Sequence, residues 1–60
     1  MATETYYSIA NVASMLGIER HTVVKLITDR KLSALVVGRQ WRISQTHLNE
    51  YAERNTVKSN

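Results

Sequence analysis

Gly17 stands between two stretches of helical periodicity, and its surroundings limit how those stretches can meet. Ahead of it, Ile9, Val12, Ala13 and Leu16 share one helix face, and Ser8 is placed to cap that helix. Beyond it, Val23, Leu26 and Ile27 share a face of a second helix, from about Arg20 to Asp29 or Arg30. Only Gly17, Ile18 and Glu19 lie between them. Glycine adopts the left-handed conformation that ends a helix at little cost. Ala13 is small where the two backbones must approach, Ile18 plugs the turn into the core, and Val23 and Leu26 anchor the second helix on the first. Two helices joined so tightly must cross steeply. Ala13, Gly17, Ile18, Val23 and Leu26 stand at the relative spacings that a DNA-binding helix-turn-helix requires.

The next pattern has a period of two. Ser33–Val37 and Trp41–Ile43 are rich in β-branched and apolar residues, and Gly38, Arg39 and Gln40 between them predict a short hairpin loop. Alternation places Leu35 and Val37 with Trp41 and Ile43 on one face and sends Val36, Gln40 and Arg42 the other way. Trp41 and Ile43 are therefore expected to point inward and fasten the hairpin to the helices, holding Arg42 rigid. Ser44 can cap a last helix whose Leu48, Tyr51 and Ala52 form an apolar stripe. The predicted fold class is mainly α with a small β-hairpin: helix, turn, helix, hairpin, helix, a winged helix-turn-helix. It forms one domain over 1–60 with an ordered core of about 6–53 and loose ends at Met1–Thr5 and Thr56–Asn60.

Sixty residues hold one small core, and a chain this short buries only about 60% of its unfolded surface. The absence of cysteine removes disulfides and thiolate metal sites, which suits a reducing interior. No apolar run approaches the roughly 20 residues of a membrane span, and the N-terminus lacks a signal-peptide layout. A cytoplasmic location without membrane contact is expected. The net charge of +3 is unevenly placed. Residues 19–42 carry Arg20, Lys25, Arg30, Lys31, Arg39 and Arg42 against Glu19 and Asp29, a net +4, while the flanks together carry −1. A positive centre with slightly acidic flanks fits a polyanionic partner.

On the second helix, the side away from Val23, Leu26 and Ile27 presents His21, Lys25 and Thr28, with Val24 at its edge and Arg20 at the N-terminal end. The N-terminal part of such a helix reaches base edges in the major groove. Arg20 can pair with guanine, Thr22 and Thr28 can bond phosphate or base, Val24 can pack on a thymine methyl, and His21 can donate or accept. A hairpin directly after that helix lies beside the neighbouring phosphates or minor groove. Arg39 and Gln40 at its tip and Arg42 at its base are the candidate wing contacts.

The stretches SIANVASMLGIERHTVVKLI, VGRQWRIS and HLNEYA resemble the excisionase family of small winged helix-turn-helix proteins, which is related to the DNA-binding domains of MerR-type regulators. The resemblance covers about Ser8 to Ala52. It implies binding to repeated sites beside an attachment site, DNA bending, and assistance to an integrase that excises a phage or mobile element. Arg20, His21, Thr22, Lys25, Arg39 and Arg42 match the DNA-contacting positions. Four residues depart from the pattern: Glu19 stands where Ser or Thr is usual, Arg30 where Gly is usual, Ser33 where Pro is frequent and Val36 where a basic residue is common. Arg30 should reshape the helix end, and Val36 should weaken the wing's phosphate grip.

If the chain is the whole protein, about eight residues follow the last helix, too few for a dimerising helix or effector pocket. That favours an architectural role at attachment-site repeats, with copies aligned head to tail, over effector sensing. A small phage or plasmid transcriptional regulator would use the same surface, and a protein-binding adaptor would borrow only the fold. No enzyme is expected: His21 and His47 lack a cysteine or a suitably spaced carboxylate, and two histidines make neither a metal site nor a cofactor site. The expected location is a bacterial host's cytoplasm, on the nucleoid.

Overall fold

A computed structural model describes residues 4–57. Its elements are β1 (Tyr6–Tyr7), α1 (Ile9–Leu16), α2 (Arg20–Thr28), β2 (Leu35–Val37), β3 (Gln40–Ser44) and α3 (Gln45–Asn55). The three strands form one antiparallel sheet in the order β1-β3-β2. This is a winged helix-turn-helix, with β2 and β3 as the wing. Val12, Ala13, Val23, Leu32, Ile43 and Leu48 are buried together: two from α1, one each from α2, α3 and the wing, and Leu32 from the connection between α2 and β2. Tyr7, Ile9, Ile18, Leu26, Ile27, Ala34 and Tyr51 pack around them.

Both helices of the motif end in the same device. At α1, Gly17 takes φ 69°, and the Ile18 and Gly17 N–H groups donate to Ala13 O and Ser14 O at 2.9 and 3.3 Å. At α2, Arg30 takes φ 62°, and the Lys31 and Arg30 N–H groups donate to Leu26 O and Ile27 O at 2.8 and 3.1 Å. Each is a Schellman closure around a left-handed residue. The reshaped helix end expected from Arg30 is thus corrected: the arginine holds the left-handed backbone a glycine would adopt. The closure delivers Leu32 into the core, where it is almost fully buried. Leu32 belongs to no periodic run, and the sequence patterns left it out.

The wing corrects a second expectation. Its register pairs Leu35 with Arg42, Val36 with Trp41 and Val37 with Gln40. The loop is therefore Gly38-Arg39, with positive φ at Gly38 and not at Arg39, the pattern of a type II′ turn. A two-residue loop in place of a three-residue one slips the pairing by one position, which moves every β2 side chain to the opposite face relative to β3. Val36 shares a face with Trp41, while Leu35 and Val37 share one with Arg42 and Gln40. All three β2 residues are exposed, Val36 at 61%. The inward seat on β3 is filled by Ile43, which is fully buried. Trp41 is only half-buried and lies outside the core cluster, contrary to its expected core position.

The N-terminal segment is more structured than its polar composition implied. Tyr6 and Tyr7 pair with Ser44 and Ile43, making β3 the central strand. Just ahead, Thr5 O accepts the Gln45 N–H at 3.0 Å and Glu4 Oε1 accepts the Thr46 N–H at 2.7 Å. Ser44 completes the start of α3: its hydroxyl accepts from His47 N, and its own N–H donates to His47 Nδ1, a capping box. The first three N–H groups of α3 thus all have acceptors, two of them supplied by residues some forty positions away. The Thr46 contact holds the Glu4 carboxyl below its ordinary value. Residues 1–3 and 58–60, part of the ends expected to be loose, lie outside the described residues.

Candidate nucleic-acid interface

The second helix of the motif begins at Glu19, whose backbone is extended and whose carbonyl accepts from Thr22 and Val23. The side chain makes no capping hydrogen bond. A Ser or Thr hydroxyl at this position would reach the N2 or N3 amide. The Glu19 carboxylate instead stands 3.7 Å from His21 Nδ1, with both side chains well exposed.

Helical geometry sorts the remaining candidates. Val23 is buried and Leu26 and Ile27 are half-buried against the core, so Arg20, His21, Lys25 and Thr28 face outward and are exposed. Val24 lies half-buried at the edge of that stripe. Thr22 is also half-buried and falls about 100° round the helix from His21, towards Leu26. The Thr28 hydroxyl donates to Lys25 O at 3.1 Å and is engaged with its own helix.

In the wing, Arg39 occupies the exposed tip and Gln40 opens β3. The Arg42 guanidinium folds along the hairpin, donating to Trp41 O at 3.0 Å and to Gln40 Oε1. The wing's own backbone and glutamine, more than tryptophan packing, therefore orient Arg42. Two of its five N–H donors are used, leaving three for a partner.

Helix and wing meet in a groove. Arg20 at the start of α2, Arg39, Gln40, Trp41 and Arg42 of the wing, and Ser8, Ile9 and Ala10 at the start of α1 line one cavity. No carboxylate lines it. Among the described residues, the one contact within 4.0 Å between a basic and an acidic side chain is His21 with Glu19, so the arginines of the groove and Lys25 have no acidic neighbour within that distance. Unpaired cations on a convex helix and a projecting ribbon give a surface whose field attracts polyanions.

The model of the family described as helix-turn-helix domain matches residues 6–56, which takes in every strand and helix. The chain belongs to this helix-turn-helix family. DNA binding is the family's activity. Neither the curated proteins nor the solved structures contain a match. Among the described residues no helix is long and apolar enough to cross a membrane.

Trp41 is expected from the sequence in the core, with a base-stacking or wedge role as the alternative. Its apolar alternation with Ile43 made it a core residue, whereas the structure leaves it half-buried and lining the groove. The one signal in the sequence was its position between Arg39 and Arg42.

Proposed function

We propose that this helix-turn-helix protein binds specific duplex DNA with α2 in the major groove and the wing alongside, and acts as an excisionase-type architectural factor. The groove that collects Arg20, Arg39 and Arg42 without a neutralising carboxylate carries this reading. It makes helix and wing one cationic surface. His21, Lys25 and Val24 supply the base-facing stripe, Arg20 and Thr22 flank it, and Thr28 contributes less because its hydroxyl is engaged. Copies line up head to tail on attachment-site repeats and bend the DNA in a bacterial host's cytoplasm, where an integrase uses the bent site. Bending a site of 20–30 bp costs on the order of 1–6 kcal/mol, which added protein contacts offset. The protein itself supplies no catalytic group or cofactor.

A band-shift titration on attachment-site DNA, combined with circular permutation, tests the reading. The expected result is a ladder of several complexes with mobility that depends on site position. Lys25→Ala should weaken binding, and should lower the salt slope by about one if the ammonium meets phosphate instead of a base edge. A single unbent complex at a promoter operator would assign transcriptional regulation instead. Failure to shift any duplex at low salt would overturn DNA binding and leave a protein-binding adaptor.

A further inference from the structure

The groove between α1, α2 and the wing has a composition that differs from the rest of the surface. Three arginines, Arg20, Arg39 and Arg42, line it. The apolar lining of its wall comes from Ile9, Ala10 and the half-buried Trp41. At the start of α1 the Ser8 hydroxyl accepts the Asn11 N–H at 3.1 Å, leaving the first two helical N–H groups, of Ile9 and Ala10, at the same wall. A base edge is read by a matched set of donors and acceptors. The acceptors in this groove, Gln40 Oε1 and the Ser8 hydroxyl, are already taken by Arg42 and the Asn11 N–H, so what it offers a ligand is chiefly donors, beside an aromatic side chain and aliphatic carbon. Those are the two halves of a sugar-phosphate unit.

Resting on the DNA-binding reading, we infer that this groove is a phosphodiester clamp. One backbone phosphate sits between Arg20 of the helix and Arg39 and Arg42 of the wing, with the adjoining deoxyribose against Trp41. Arg20 is thereby assigned to a phosphate and not to the guanine edge its place on the helix implied. The clamp also explains why the protein's single tryptophan is spared from the core: its ring forms the apolar wall where a sugar rests. Mutual repulsion among the three cations keeps the groove poised for an anion, and the charge-assisted bonds to phosphate are the strong kind.

Trp41 is the only tryptophan, so its emission reports the groove directly. The full chain is titrated with a fluorescein-labelled duplex, following label anisotropy and Trp41 emission together. The same titration is repeated on duplexes with one phosphate at a time replaced by neutral methylphosphonate, using wild type and Arg20→Ala. Arg20 is exposed, so its removal leaves the core untouched. Trp41 emission should change in step with anisotropy, and Arg20→Ala should lose about tenfold or more in affinity. One methylphosphonate position should cost the wild type a similar factor and cost Arg20→Ala almost nothing further. Rising anisotropy with unchanged emission, or additive losses at every position, would remove the clamp while leaving DNA binding intact. No rise in anisotropy at low salt would remove both.

Discussion

Arg30→Gly should stabilise the domain, although it deletes a large side chain from a helix end. Arg30 sits at φ 62° in the Schellman closure of α2. A left-handed conformation costs an L-residue about 1–2 kcal/mol, and glycine avoids it. Glycine's greater freedom in the unfolded chain returns about 0.5–1 kcal/mol of that gain. The expected net effect is about 0.5–1 kcal/mol, which for a domain of this size raises Tm by roughly 2–8 °C. Gly17 provides the mirror experiment. It occupies the equivalent position of α1 at φ 69°, and an added Cβ would meet nothing within 4 Å. Gly17→Ala should therefore destabilise by about 1 kcal/mol through backbone conformation alone. Thermal unfolding followed by circular dichroism at high salt, where exposed charges are screened, measures both. Arg30→Ala is the control, since it removes the guanidinium and keeps the strained backbone. It should be nearly neutral. If Arg30→Ala stabilised as much as Arg30→Gly, the gain would come from relieving charge repulsion and the conformational argument would fail. A destabilised Arg30→Gly would refute it outright.

Two other substitutions address helix starts. Glu19→Ser should stabilise the fold by about 0.5–2 kcal/mol in chemical denaturation, because a hydroxyl can cap α2 where the carboxylate makes no bond. It should also tighten duplex binding in anisotropy titrations by removing a negative charge from the recognition helix, and weaker binding would count against α2 as the DNA face. Glu4 has a lowered pKa in the folded state through its bond to Thr46, so its contribution is present above the unfolded carboxylate pKa and disappears as pH falls through the folded value. Glu4→Gln should accordingly flatten the acid limb of a stability-against-pH curve. An unchanged acid limb would show that the contact does nothing in solution.

The helices were legible because their signals are local. Ser8, Gly17 and Ser44 mark their ends by side-chain chemistry or by freedom of φ, and the apolar spacings in between decide which faces pack. The wing's existence was legible for the same reason, from Gly38 between two β-branched runs. Its register was not, because Gly38-Arg39 and Gly38-Arg39-Gln40 are both plausible loops and one residue decides which side of the ribbon Val36 and Trp41 share. Strand β1 escaped notice because two residues carry no period, and its evidence is the far partner, Ser44 and Ile43. Leu32 and Arg30 depend on a closure that pattern reading assigns to glycine, so an arginine there conceals the turn. For the interface, the outward stripe of α2 and the wing arginines could be named from sequence, whereas the groove joining them exists only once α1, α2 and β3 are assembled.

Ser44 is the last residue of β3 and the cap of α3, with no connecting residue between strand and helix. Such a joint has no slack. One extra residue there would turn α3 by about 100° relative to the sheet and carry Leu48 out of its seat. Length changes in relatives of this fold should therefore collect at the wing tip and in the stretch between Leu32 and Leu35, where the chain can bulge outward. In the joint itself, evolution is left with substitutions and denied insertions.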